Sequence, residues 1–425
     1  MAASGVRVFE EYESNVRSYS RVFPTVFARA RNATIWDEAG KAYTDFFSGA
    51  GTLNYGHNPP EIRAQLVAYL ESEGIIHALD AYTVEKRRFL DTFVEGVLRP
   101  RKLDFKVQFC GPTGANGVEA ALKLARRVTG RTGVIAFGGS YHGMSMGSGS
   151  VTGSTSVRRN LGVPTVGVSF VPYESGPQGP FDSVGYLERV LADSSSGVDA
   201  PAAIIVEPVQ LDGGIYVGSP AFMQGLRAVC DRYGALLICD EIQAGVGRAG
   251  HFFSFEASGV VPDLVTVSKS IGGYGLPMSL VLMRREHDHW KPGEHTGTFR
   301  GNQLAFVAAT AALEYWTRPA FTNGLADGTR YLRDVFAPAA RALHPDIEVR
   351  GAGMVAGVDL TRVGGNEAAR RAASRCFEKG LIIECCGRDD SVMKLMPPLT
   401  TPPEQLAEGC RILLDAIRAG LPGQG

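Results

Sequence analysis

Between about residues 75 and 325, short apolar runs alternate with amphipathic stretches, and this alternation constrains the fold more than any other feature of the chain. Phe105–Phe109, Gly133–Phe137, Ala202–Val206, Ala235–Cys239 and Leu264–Val267 read as strands. Segments 117–129, 220–233 and 302–316 carry helical spacing. Strands that alternate with helices need crossover connections, so the pattern predicts an α/β fold with a mostly parallel sheet. Residues 1–70 predict a helix, then strands at Ala33–Trp36 and Ala42–Phe47 with a turn at Glu38–Gly40. The last stretch predicts helices near 325–343, 366–379 and 403–419 and a strand at Gly357–Leu360. The two chain ends are expected to pack as one smaller α+β domain. The division is then 1–70 and 326–425 for the small domain and 71–325 for the large one.

Composition narrows the function classes. Lys and Arg total 43 against 44 Asp and Glu, so there is no basic surplus of the kind a nucleic-acid binder needs. No apolar stretch approaches the ~18 residues of a membrane helix, and the N-terminus lacks a signal-peptide core. The expectation is a soluble cytoplasmic protein without nucleic-acid or membrane partners. The seven cysteines form no CxxC pair, which argues against a disulfide framework and against a metal site. Glycine is in excess, at 52 of 425 residues, without a Gly-X-Y period. Six Gly and six Ser fall in 138–156, either a flexible linker or, since Tyr141-His142 interrupts it after a strand, a functional loop.

Three motifs could carry chemistry. Gly111-Pro112-Thr113-Gly114-Ala115-Asn116-Gly117 joins a strand to a helix and would present free N–H groups to an anion, or be an ordinary capped helix start. Gly245-Val246-Gly247-Arg248-Ala249-Gly250 fits GxGxxG, but an aromatic cluster follows it and no ribose-binding acid lies at the needed distance, which argues against a dinucleotide site. The third motif is a pair of strand ends. Leu236–Cys239 runs into Asp240-Glu241, and Leu264–Val267 runs into Ser268-Lys269. Ligands of α/β sheets sit at carboxyl ends of strands. A lysine there is either a snorkelling surface residue or a desolvated nucleophile. An acid, a lysine and an anion turn together suggest pyridoxal phosphate: the lysine as Schiff-base partner, the acid on the ring nitrogen, the turn on the phosphate.

These residues resemble a known family. LLICDEIQAGVGRAGHFFSFEASGVVPDLVTVSKSIGGYGLP is similar to the signature of class III (omega-type) aminotransferases of PLP fold type I. FGGSYHG, VEPVQLDGG, HTGTFRGNQLA and LMPPLT agree in order, so the likeness spans nearly all of 20–420. VRSYSRVFP, SKSIGGYGLP, KPGEHTGTFRG and GLIIE resemble the diaminobutyrate–2-oxoglutarate subgroup of ectoine biosynthesis. The resemblance implies Lys269 as Schiff-base lysine and proton shuttle and Asp240 on the pyridinium nitrogen. Gln243 would bond the ring hydroxyl, Tyr141 would stack on the ring with His142 beside it, and Glu207 would support the network. Thr113, Gly114, Ala115 and Asn116 would form the phosphate turn. Thr298 would reach the phosphate of a neighbouring subunit, which requires a homodimer with shared sites, and higher oligomers stay open. The partners implied are a small amino donor and an aldehyde or keto acceptor.

Substrate recognition is implied less directly. Lys394 stands where many relatives carry an arginine for a substrate carboxylate, and Arg21 and Arg300 are further candidates. Asp212 replaces a glutamate that can pair with that cation, Leu211 replaces a glycine, and Ala78 and Ala81 are smaller than the subgroup suggests. The expected reaction is transfer from L-glutamate to L-aspartate 4-semialdehyde. Another omega-amino acid or natural-product aldehyde, or an aminomutase, are the alternatives.

Overall fold

The computed structural model describes residues 5–165 and 167–421. Near the N-terminus β1 (Phe27–Arg31), β2 (Thr34–Asp37) and β3 (Ala42–Asp45) form an antiparallel meander. The central portion contributes β4 (Phe105–Phe109), β5 (Val134–Phe137), β6 (Val168–Val171), β7 (Ala203–Val206), the short hairpin β8 (Val209–Gln210) and β9 (Tyr216–Val217), β10 (Leu236–Asp240), β11 (Leu264–Val267) and β12 (Leu280–Arg284). Seven of these make one sheet in the order β4-β12-β11-β10-β7-β5-β6. All its strands run parallel except β12, which is antiparallel to both neighbours. β5, β7, β10 and β11 are buried along their whole length, which explains why they read as near-continuous apolar runs.

The C-terminal portion adds β13 (Glu348–Ala352), β14 (Val355–Asp359), β15 (Leu381–Ile382), β16 (Glu384–Cys386) and β17 (Val392–Leu395). β15 pairs in parallel with β3, Leu381 opposite Thr44 and Ile382 opposite Asp45, so the two chain ends share a sheet. β13-β14-β17-β16 form a second four-stranded sheet.

Several sequence readings shift. The helix expected from 117 begins at Gly114, because Thr113 caps it by accepting the Asn116 N–H at 3.3 Å. The helix expected over 325–343 starts at Pro319 and is interrupted by a π-turn over Leu332–Phe336. β12 and β16–β17 were not read from sequence. All seven cysteines are free. Among the described residues no helix is long and apolar enough to cross a membrane, and no cluster suits a metal ion.

Candidate active site

Five strand ends meet at the carboxyl edge of the large sheet. β4 leads into the Gly111–Gly117 turn, β5 into Gly138–His142, β7 into Glu207, and β10 and β11 into Asp240 and Lys269. A cavity of about 1140 Å³ opens over this edge, lined by Lys269, Tyr141, Asp212, Tyr19, Glu384 and the loops around them.

The floor is a buried polar network. Asp240 is 3% exposed; its Oδ1 accepts the Thr266 hydroxyl at 3.0 Å and the Ile242 N–H at 3.1 Å. Its Oδ2 lies 2.6 Å from His142 Nδ1, and His142 Nε2 is buried with no partner among the described residues. Glu207 Oε2 accepts the Tyr141 N–H at 2.9 Å. Burial and then the neighbouring Asp240 push the Glu207 carboxyl well above its ordinary range, so it resists ionising beside that carboxylate. Gln243 donates to the Ala50 carbonyl at 3.1 Å. That carbonyl is presented by a left-handed turn in which Ser48, Gly49, Ala50 and Gly51 have φ of 51°, 57°, 56° and 83°.

Lys269 has a φ of 54°, a conformation that costs a non-glycine residue about 1–3 kcal/mol and persists only where the surroundings over-determine it. Its amine makes no ion pair among the described residues. Burial lowers its pKa, opposed by Asp212, which favours the neutral, nucleophilic form. Thr113 takes the Asn116 N–H, while the first-turn N–H groups of Gly114 and Ala115 have no acceptor among the described residues. A side chain at Gly114 would lie 2.9 Å from Ile242 Cδ1, so that turn tolerates little beyond backbone. Uncapped N–H donors, a buried carboxylate and an unpaired amine are the donor set that a phosphorylated pyridine aldehyde needs. The orphaned His142 nitrogen sits in the same network.

The substrate-binding candidates are placed very differently. Lys394 is fully buried and bonds Asp212, with Glu384 Oε2 2.8 Å away as an ion pair. Burial opposes charge on Lys394, yet the two carboxylates hold its pKa well above the ordinary value. Burial likewise works against Asp212, but Lys394 and then Lys269 hold it below. Arg21 is exposed and turned to the Asn15 and Arg17 carbonyls. Arg300 pairs with Asp80 and lines a separate groove with Lys86 and Trp290. Thr298 is exposed, and its carbonyl meets His77 Nε2 at 2.6 Å. The Gly245–Gly250 segment forms turns, and its Arg248 is buried, bonding Asn54 and the Met354 and Pro397 carbonyls. The glycine-rich loop is tied to Glu119, which accepts the Gly147 and Ser148 N–H groups at 2.8 and 3.0 Å.

Sequence reasoning missed Thr266, Tyr19 and Glu384. Tyr19 donates to Glu384 at 3.2 Å. Tyr19 and Glu384 lie inside the subgroup-like motifs VRSYSRVFP and GLIIE, which was the available signal.

A sheet with a lysine, an acid and an anion turn at one edge defines a pyridoxal-phosphate enzyme of the α/β kind. The aminotransferase class-III family model matches residues 16–417, and the chain belongs to that family. It is 49% identical over 414 residues to a diaminobutyrate–2-oxoglutarate transaminase of Wolinella succinogenes, covering 97% of this chain and 96% of that one. It is 48% identical over 421 residues to an uncharacterized aminotransferase of Sinorhizobium fredii, covering 99% and 93%. The fold is similar to ornithine aminotransferase from Toxoplasma gondii, with a TM-score of 0.81 and 26% identity over 97% of this chain and 94% of that one. The protein is a class III aminotransferase, and its cofactor is pyridoxal 5′-phosphate.

Proposed function

We propose that the protein moves an amino group from L-glutamate to L-aspartate 4-semialdehyde, giving 2-oxoglutarate and L-2,4-diaminobutyrate. The observation that carries this reading is the near full-length 49% identity to a transaminase of that name.

Bound pyridoxal phosphate supplies an aldehyde carbon for amine exchange and a ring that draws electrons from the substrate. The chain does the rest. Lys269 would hold the cofactor through its amine and, with that amine free, would take the substrate α-proton and return it at the other end of the transfer. Asp240 keeps the ring nitrogen protonated, and Thr266 and His142 fix which way its oxygens point. Thr113, Gly114, Ala115 and Asn116 hold the phosphate. Tyr141 would cover the ring beside His142 and Gln243 would bond its hydroxyl, while Glu207 steadies the Tyr141 backbone. Lys394, enclosed between Asp212 and Glu384, would meet a substrate carboxylate only with both acids released from it. Arg21 and Arg300 do not line the cavity of their own chain.

The working unit in this reading is a homodimer. Residues 75–84 run beside the Thr298 loop: Gln303 N–H donates to the Ile76 carbonyl at 3.1 Å and Ala78 N–H to the Gly301 carbonyl at 3.3 Å. That face exposes Ile75, Ile76, Leu79, Tyr82, Val84 and Phe299 together, a patch that favours burial against another copy. Thr298 would then serve the partner's phosphate.

The test pairs L-glutamate with a panel of aldehydes and identifies each product by mass. Diaminobutyrate as the fastest-formed product is expected. Turnover of another aldehyde with none of aspartate semialdehyde overturns the substrate assignment, and turnover without 2-oxoglutarate release points to an aminomutase.

A further inference from the structure

We infer that Arg388 and Arg158, in the outer arm of the Lys269 cleft, bind the distal carboxylate of the dicarboxylic amino donor and of the keto acid it becomes. The inference rests on the transaminase reading above.

Charge in the inner cleft leads to this. Asp212 and Glu384 both line the cavity, while Lys394, which they share, does not. Two carboxylates against one enclosed cation leave the inner wall with a negative balance, better suited to an ammonium group than to a second carboxylate. Arg21 and Arg300 lie outside the cavity. A dicarboxylate therefore needs a cation elsewhere along the same cavity.

The outer arm has two. Lys269, Tyr141, Gly138, Gly139, Arg158 and Arg388 all line the one cavity, and Arg388 stands against Gly138–Gly139 on the loop that carries Tyr141. Neither arginine has a carboxylate partner among the described residues; each is held by neutral groups. Arg388 Nη1 donates to Gln178 Oε1 at 2.9 Å. Its Nη2 stands over the glycine pair, 3.6 Å from the position a Cβ would take at Gly138 and 3.9 Å at Gly139. Arg158 Nη1 donates to the Thr152 carbonyl at 2.8 Å, and its guanidinium lies 4.7 Å from the centroid of the Phe170 ring. Neutral anchors orient the two planar forks and leave neither bonded to a carboxylate among the described residues. A carboxylate accepts two parallel N–H bonds from such a fork.

The backbone supports the same assignment. Arg388 stands in a turn where Gly387, Asp389 and Asp390 have φ of 82°, 61° and 53°. Two non-glycine residues in the left-handed region cost about 1–3 kcal/mol each, and such strain gathers at ligand-binding positions. Asp389 and Asp390 also line the rim, with Asp390 facing Arg370 at 3.9 Å.

The test uses holoenzyme and the variants Arg388→Gln, Arg158→Gln and Arg388→Lys. Two quantities are read: KM against kcat for L-glutamate and 2-oxoglutarate, and the calorimetric affinity of glutarate, a dicarboxylate that cannot react. Arg388→Gln is expected to raise both KM values and weaken glutarate by about 10-fold or more, the size of a lost charge-assisted pair. The loss should fall on KM rather than kcat, Arg388→Lys should recover part of it, and Arg158→Gln should act in the same direction more weakly. If wild-type holoenzyme turns over L-glutamate while glutarate affinity and both KM values are the same in all three variants, the outer subsite is wrong. If wild-type holoenzyme forms no 2-oxoglutarate from L-glutamate, the donor assignment itself fails, whatever the variants do.

Discussion

The floor of the cleft and its wall are built from different material. At the floor, Asp240 ends a strand buried along its length, and each oxygen is committed to a fixed partner on β11, on the loop after β5 or on its own turn. At the wall, Tyr19, Asp212, Glu384 and Arg388 come from a terminal helix, a hairpin turn, a short strand and a strained loop. The floor is held by the sheet, and the wall is held by charge. Groups that must keep one geometry sit on strand ends. Groups that select among substrates sit where a loop can change without disturbing the sheet.

If that contrast is right, substitutions at the floor should stop the chemistry. Lys269→Ala is expected to lower the initial rate of glutamate turnover by about 10³-fold or more, since it removes both nucleophile and proton shuttle. Asp240→Ala should cost about 10²-fold and release cofactor on dialysis, followed by loss of visible absorbance. A floor variant that alters only KM would break the contrast.

The wall should respond through stability and selection. Lys394→Met strands the Asp212 and Glu384 carboxylates, and breaking a buried pair in this way costs about 3–5 kcal/mol. A lowered unfolding midpoint is expected, recovered in large part when Asp212→Asn and Glu384→Gln are added. No recovery in the triple variant would mean that packing, not charge, holds the wall.

The smallest effect belongs to Glu241, the other acid at the β10 end. It is fully buried and accepts the Ser254 N–H and hydroxyl and the Phe255 N–H at 2.7–2.9 Å. Burial, opposed by those donors, pushes its carboxyl up to about 7 from 4.5. The folded state therefore binds more protons than the unfolded one between those values, so this contribution is full at low pH and is lost as pH rises through 7. Denaturation midpoints measured across that window should fall less steeply in Glu241→Gln than in wild type. It titrates without touching the cleft, so its effect should appear in stability and not in KM.

The floor was the more legible part in sequence. β10 and β11 read clearly because unbroken apolar runs stop abruptly at an acid and at a lysine. The Gly111–Gly117 turn read as an anion site or as a helix cap, and the structure makes Thr113 the cap of a helix that starts inside the turn, since Gly114–Gly117 look like loop residues until a cap is seen. β12 escaped because it follows β11 without an intervening crossover helix and runs the other way. The wall was hidden because its contacts depend on register. Glu384 meets Lys394 as its direct partner across β16–β17, a pairing no local pattern announces. Arg388 reaches Gly138–Gly139 from 250 residues further along the chain.

The most direct test of the account is borohydride reduction of the holoenzyme, followed by peptide mapping. The reduced cofactor should be found on the peptide carrying Lys269 and on no other lysine, and the Lys269→Ala variant should fix none. Cofactor fixed on a different lysine, or a wild-type holoenzyme that fixes none, would contradict it.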